Sequence, residues 1–383
     1  LQVISVTVRG DLLPSGFAYP QTLPAPPTGA TPATPSLYVF QNNYAQPYVQ
    51  QGSLGVETQL ARDWSLGVSY LLVKGTHLTR SNDINLLPAV ATAFPISTGG
   101  SLTVQRFPGR VASHFGRITQ FQSDANSIYH GMAVTLNKRF SQHFQMSASY
   151  TLSKAIDDKP DSTSVVPGNA GDDLKMAQGH FGFGDDRGLS DQDYRHRFVS
   201  VGLWDLGYLN NHQNNFVRYA LGYWAFSTVL AAQNGRHWSV QMGGDANNDG
   251  NNFTDRVPGI ARNTQTLPRQ VSMDIRVSKD IPVYERLKAT LMFEAFNLFN
   301  HPNFRDVNSN AGEGALQFNL ATATKATATT NCPVGTRCFF PLASFTPANP
   351  KDLFVGTYDM PGGGSAFPGP GPRTLQLGLK LTW

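Results

Sequence analysis

The sequence predicts an all-β fold, an antiparallel transmembrane β-barrel with short periplasmic turns and long extracellular loops. It is a partial barrel, about ten strands of a larger one. Three observations point there. Apolar and polar residues alternate in steps of two through several stretches, the period of a strand with one greasy and one wet face. The connections between these stretches alternate between short and long. Charged residues make up 15% of the 383 positions, aromatics 11%, with 36 glycines and 25 prolines, which suits strands joined by long loops rather than an average globular domain.

Taken in order, the expected strands lie near 3–9, 49–60, 64–74, 128–140, 143–154, 195–206, 222–233, 269–281, 285–298 and 373–383. In "WSLGVSY", Trp64, Leu66, Val68 and Tyr70 oppose Ser65, Gly67 and Ser69. In "HFQMSASYTLS", Phe144, Met146, Ala148, Tyr150 and Leu152 oppose His143, Gln145, Ser147, Ser149 and Thr151. In "QVSMDIRVSK", Val271, Met273, Ile275 and Val277 oppose Gln270, Ser272, Asp274, Arg276 and Ser278. "RLKATLMFEAF" sets Leu287, Ala289, Leu291, Phe293 and Ala295 against Lys288, Thr290 and Glu294. The final "RTLQLGLKLTW" puts Leu375, Leu377, Leu379, Leu381 and Trp383 on one side.

Residues 61–63, 141–142 and 282–284 are short links, and 207–221 is intermediate. Between them run 10–48, 75–127, 155–194, 234–268 and 299–372, rich in Gly, Pro, Asn and Asp. Unstructured loops of that length are rare in compact domains, whereas one-sided loop length is the habit of outer-membrane barrels. With short turns on the periplasmic side, the last strand runs inward and ends there. A soluble β-sandwich also alternates apolar-in and polar-out, but gives no reason for one-sided loops. Nor does it favour aromatics at strand ends, where Tyr129, Phe140, Phe144, Tyr150, Trp204, Tyr223, Trp224, Phe299 and Trp383 are candidates for interfacial girdles.

Other classes find little support. No apolar run of about 18 residues is present, so no helical span is expected. The 30 basic and 26 acidic residues are scattered, giving no case for nucleic acid. H-E-x-x-H, G-x-S-x-G, P-loop and C-x-x-C motifs are missing, so no enzyme is expected. The start "LQVISVTVRG" has no Met, basic n-region or apolar h-region. It reads as the interior of a strand, so the chain is expected to be a fragment.

Three local features carry candidate sites. "GDANNDGNNFTDR" places Asp245, Asn247 and Asp249 at alternate positions before Gly250, as in the first half of an EF-hand calcium loop. Asp255 falls one place short of the usual bidentate acid, and such Asn/Asp/Gly loops also form turns without metal. Cys332 and Cys338 are either two free thiols or a small disulfide loop, the latter if their segment lies outside the cell. Asp274, Arg276, Lys288 and Glu294 are expected to form cross-strand ion pairs lining a lumen. His196 and His301 are read as strand-end hydrogen-bonding residues. The acidic stretch "AIDDKPD" to "GDDLKMAQGHFGFGDDRGLSDQD" reads as a solvated loop or a ligand contact.

Several motifs, in order, resemble one family. "PYVQQGSLGVE" with "LLVKGTHLTRSNDIN", "NSIYHGMAVTLNKRFSQHFQMSASYTLSKAIDD", "LSDQDYRHRFVSVGLWDL" and "GYWAFSTVLAAQNGRHWSV" all look like segments of TonB-dependent receptors of the Oar-like, acidobacterial type. So does "LPRQVSMDIRVSKDIPVYERLKATLMFEAFNLFNHPNF". The resemblance implies that residues 1–383 are the C-terminal portion of such a receptor's barrel, without its plug or a signal peptide. It implies the outer membrane of a Gram-negative bacterium, and uptake of an unknown extracellular ligand coupled to the TonB complex. The alternative is a structural or adhesive surface barrel. The partners implied are outer-membrane lipid and the barrel assembly machinery, for which Gly378, Leu381 and Trp383 match the C-terminal recognition signal. No cofactor is expected beyond a candidate calcium ion.

Overall fold

The structure is a computed structural model. It describes residues 34–96, 99–158, 186–239, 242–243, 245–251, 255–284, 287–307, 318–322, 334–341, 354–356 and 372–382. Nine long strands form its frame: β1 (Tyr48–Ala61), β2 (Trp64–Asp83), β3 (Ile118–Ser141), β4 (Phe144–Asp157), β5 (His196–Asp205), β6 (Trp224–Gln233), β7 (Gln270–Tyr284), β8 (Leu287–Phe296) and β9 (Thr374–Thr382). Each pairs antiparallel with the next in sequence. Leu37–Phe40 adds to β3 in parallel, and Gly188–Leu189 adds to the end of β4. Among the described residues β1 and β9 each have one neighbour, so this up-and-down sheet is open. The strand expected at 3–9 lies outside the described residues.

The pairing register brings the main apolar set of every strand but β5 onto one face, to which β5 adds Phe198 and Trp204. Leu54 faces Tyr70, which faces Met132 and then Leu152. Tyr150 faces Phe198; Leu230 links Ser200 to Met273. Val277 faces Phe293, which faces Leu377. A one-residue slip in any pair would turn that strand's apolar set to the opposite face. Among the described residues nothing is layered on this face: Leu54 is 74% and Leu377 82% exposed, as lipid contact requires.

The opposite face carries Glu57, Gln59, Asn137, Ser147, Ser149, Arg276 and Glu294. Arg276 sits directly across from Glu294, with Nε to Oε1 at 2.5 Å. Of the other two residues expected to pair across strands on this face, Lys288 does so and Asp274 does not. Lys288 joins Asp280 at 2.6 Å, its diagonal neighbour across β7–β8. Asp274 makes no ion pair among the described residues; its carboxylate accepts from the Asn297 amide at 2.8 Å and the Ser272 hydroxyl at 3.1 Å. A strand-end carboxylate is drawn to the exposed amides of the turn beside it. The face is also less uniformly polar than alternation implies, since Val199, Val201 and Leu203 of β5 and Val229 of β6 lie on it.

The short connections lie at one end. Arg62–Asp63 joins β1 to β2, and Gln142–His143 joins β3 to β4 with φ of 49° and 64°. Positive φ at both central residues is the turn twist that continues a right-handed hairpin. The β5–β6 link holds one 3₁₀ turn (Leu206–Leu209), whose Gly207 amide donates to Asp205 at 2.8 Å, and one π turn (Val217–Leu221). Trp64, Phe140, Phe144, Trp204 and Trp224 all sit at this end, with the Trp204 ring tilted against Phe226 at 5.9 Å. Lys138 and Lys279 fall on the apolar face here, and both bend to the rim. The Lys138 ammonium donates to the Ser141 and Phe144 carbonyls, each at 2.9 Å. That of Lys279 donates to the Tyr219 and Gly222 carbonyls at 2.7 and 2.8 Å, 4.8 Å from the Trp224 ring centroid. Two cations on a lipid face thus serve orphan turn carbonyls by snorkelling.

Of the terminal signal, Gly378 packs where an added Cβ would lie 3.1 Å from Met292 Cε, and Leu381 lies on the apolar face. Trp383 lies outside the described residues.

Placing Arg at Leu377 is expected to cost about 2–4 kcal/mol if the side chain faces lipid near the bilayer midplane. Arg at the adjacent Gln376 is expected to cost well under half of that. Urea unfolding in lipid vesicles of the two variants measures the difference; equal costs would contradict the assignment of faces.

Candidate functional site

At the opposite end the chain builds a folded cap. β2 and β3 continue past the apolar band, pairing from Gly75–Ser127 up to Asp83–Thr119 with register breaks around Leu78. The strands expected to stop near 74 and start near 128 are each about ten residues longer here (Gly75–Asp83 and Ile118–Ser127). Alternation of polarity is lost in "GTHLTRSND", where Arg80, Ser81, Asn82 and Asp83 are all buried, and in "ITQFQSDANS", where polar Thr119 and Ser123 share the buried side with Phe121 and Ala125. The hairpin Val90–Pro95 with Ser101–Arg106 projects from it. Phe94 and Val104 of that hairpin meet Trp238, Ala246, Val257 and Leu267 from the β6–β7 connection in an apolar core. The described hydrophobic core therefore sits in the loops rather than under the sheet.

Charge is buried beside it. Asp186, fully inaccessible, receives Arg80 Nη1 at 3.3 Å on one oxygen and Arg256 Nη2 at 3.0 Å on the other. Arg262 meets Asp157 at 2.5 Å and Asp191 at 3.6 Å. Burial works against the Arg262 charge, but Asp157 and Asp191 hold it protonated above its ordinary value. Arg110 pairs with Asp83 at 2.7 Å, and the other Asp83 oxygen accepts the Asn85 and Ile118 amides. The described end of the acidic stretch is thus not a solvated loop: Asp186 and Asp193 are buried in the cap. Its residues 159–185 lie outside the described residues.

Amide side chains tie the turns. Asn85, 1% exposed, donates to the Ala112, Phe115 and Gly116 carbonyls and accepts the Ala112 amide at 2.7 Å. In "FNLFNHPNF", Asn303 accepts from the Val271 amide at 2.7 Å and donates to its carbonyl at 3.0 Å, closing the start of β7. Asn297 pairs with the His301 backbone in both directions. His301 is a turn residue, and His196 meets the Tyr150 hydroxyl at 2.6 Å. Nothing in hydropathy singles out Asn85 or Asn303; their place beside Pro and Gly in long connections was the only signal.

The candidate calcium residues come together. Asp255 Oδ2 accepts the Ala246 and Asn247 amides at 2.6 and 2.9 Å. Asn247 Oδ1 accepts the Asp249 amide at 2.9 Å, Asp249 Oδ1 the Asn251 amide at 2.6 Å, and Asp245 Oδ2 the Gly250 amide at 3.1 Å. Gly250 has φ of 88°, which a side chain would resist. Among the described residues no three His, Cys, Asp or Glu side chains gather as a ready metal cage. Cys338 is fully buried and disulfide-bonded; Cys332 lies outside the described residues.

With these features in place, the class is that of an outer-membrane barrel with a folded extracellular cap. The chain belongs to the outer membrane beta barrel domain family, whose model matches residues 4–261 and 257–332. The long-loop end is the extracellular end in such barrels, and the protein is placed in a Gram-negative outer membrane. Among solved structures it is similar to the outer membrane transporter YddB from Escherichia coli, at a TM-score of 0.46 and 10% identity. That match covers 92% of this chain and 35% of the transporter. No curated protein matches the sequence.

Two outcomes are expected. Asp186→Asn removes one charge partner from two buried guanidiniums, a loss of about 3–5 kcal/mol in the cap. Amide hydrogen exchange should rise at Ile84, Asn85 and Val257 while the centres of β3 and β4 stay protected. Asp193 behaves differently. Burial would raise its carboxyl, but the His237 imidazole 3.1 Å away and the Ala155 amide outweigh that and hold it below the usual range. A lowered folded-state value stabilises above the unfolded value and is lost as pH falls through the folded one. The Ala155 amide resonance should therefore shift below about pH 4, and Asp193→Asn should abolish that shift.

Proposed function

We propose that the chain is the C-terminal part of a TonB-dependent receptor barrel that captures an extracellular ligand for energy-coupled uptake. The observation that carries this reading is the cap. A passive surface barrel has little use for loops fixed by an apolar core and the Arg80–Asp186–Arg256 network. A capture surface gains affinity when its loops are ordered before the ligand arrives. Membership of the outer-membrane barrel family supports it, as do the ordered motifs that resemble Oar-like receptors. The β1 and β9 edges, open among the described residues, fit the same reading, because lipid does not tolerate unpaired backbone. The long-loop end then receives the ligand, and the TonB complex acts from the periplasm.

The test is solute depletion from a defined mixture by three strains: wild type, one lacking this gene, and one lacking TonB. At least one solute removed by wild type should remain with both mutants. Identical depletion by all three would favour a structural or adhesive surface barrel.

A further inference from the structure

We propose that Asp245, Asn247, Asp249 and Asp255 form a calcium site that pins the β6–β7 connection to the rest of the cap. The inference stands apart from the transport reading. Side-chain oxygens at alternate positions, with glycine at the sharp turn, suit a hard cation with an all-oxygen shell. That spacing alone would leave an ordinary Asx turn. The second observation is Asp255. Its side chain is fully inaccessible, and while Oδ2 accepts two loop amides, Oδ1 has no hydrogen-bond partner. Asp245 Oδ1 is likewise buried without one.

The basic residues around the loop leave these two oxygens unserved. Arg106, Arg110 and Arg117 all reach this segment, yet they donate to its carbonyls: Ala246 at 2.9 Å, Asp249 at 3.0 Å and Gly250 at 3.1 Å. They grip the loop's backbone from the 106–117 side. Buried carboxylate oxygens without donors are costly, and a cation bound between these side chains would relieve that cost. Oxygen donors without His or Cys favour calcium over zinc, and the irregular donor set suits calcium's flexible shell better than magnesium's octahedron. Binding requires the carboxylates to turn from the loop amides toward the ion, along a backbone already bent for it.

The consequence is mechanical. The Phe107 amide donates to the Asn247 carbonyl at 2.7 Å, and Asn248 donates to the Phe107 carbonyl at 2.7 Å. An ion at the loop centre would hold those groups, and through them the Val90–Arg106 hairpin.

The experiment is calorimetric titration of the EDTA-treated chain, folded in detergent, with calcium chloride. One ion per chain should bind, with a dissociation constant on the order of 10⁻⁴–10⁻³ M, the range of extracellular modules. Asp255→Asn and Asp245→Asn should each weaken binding by roughly tenfold or more, with β-sheet circular dichroism confirming that each variant has folded. Calcium should also slow tryptic cleavage after Arg110 and Arg256 in the parent chain. No saturable heat up to about 10 mM calcium in the folded parent would overturn the proposal. So would unchanged affinity in both folded variants, or magnesium binding as tightly as calcium.

Discussion

The hydrocarbon of a bilayer offers no hydrogen bonds, so every backbone N–H and C=O that crosses it must find a partner within the sheet. The architecture follows from that constraint. Nine consecutive strands answer it with antiparallel ladders between sequence neighbours, the arrangement that needs only short turns on one side. Because the ladder fixes register and register fixes face, it also gathers most of the apolar residues of the nine strands into one continuous surface. Backbone satisfaction and lipid solubility are therefore one requirement met by one pairing scheme.

A sheet whose apolar face meets lipid has no apolar interior to organise the parts that leave the membrane. The loops must then build their own core, and here they do. Phe94, Val104, Trp238, Ala246, Val257 and Leu267 supply it, while Asp186 between Arg80 and Arg256 fixes the geometry around it. Buried ion pairs contribute little net stability compared with apolar contacts of the same volume, but they tolerate few alternative arrangements. That property suits a surface whose shape has to be set in advance.

The membrane's rim imposes a third demand, met at the short-turn end. Turn carbonyls there are left over by the ladder, and Lys138 and Lys279 reach back from the lipid face to satisfy them. Trp64, Phe144 and Trp224 lie against the same two ammonium groups. An apolar stem with a charged tip spans the boundary between oil and water that the aromatic rings also prefer.

Period-two alternation in "HFQMSASYTLS" or "TLQLGLKLT" reports one-sided burial, a local property of the chain, so strand positions, facing and the sidedness of the loops were determined by the sequence alone. The extensions Gly75–Asp83 and Ile118–Ser127 escaped it, because polar residues such as Arg80, Asn82, Thr119 and Ser123 are buried there, so hydropathy does not report burial. The candidate site was legible only in part. Spacing placed Asp245, Asn247 and Asp249 on one turn, and the same spacing is shared by turns that bind nothing. Only the tertiary structure decided that Asp255 folds back over them with one oxygen left bare, that Asp186 is buried rather than solvated, and that Lys288 chooses Asp280. Each depends on which distant segment arrives beside which, and burial and electrostatics act through space between residues that the sequence holds far apart.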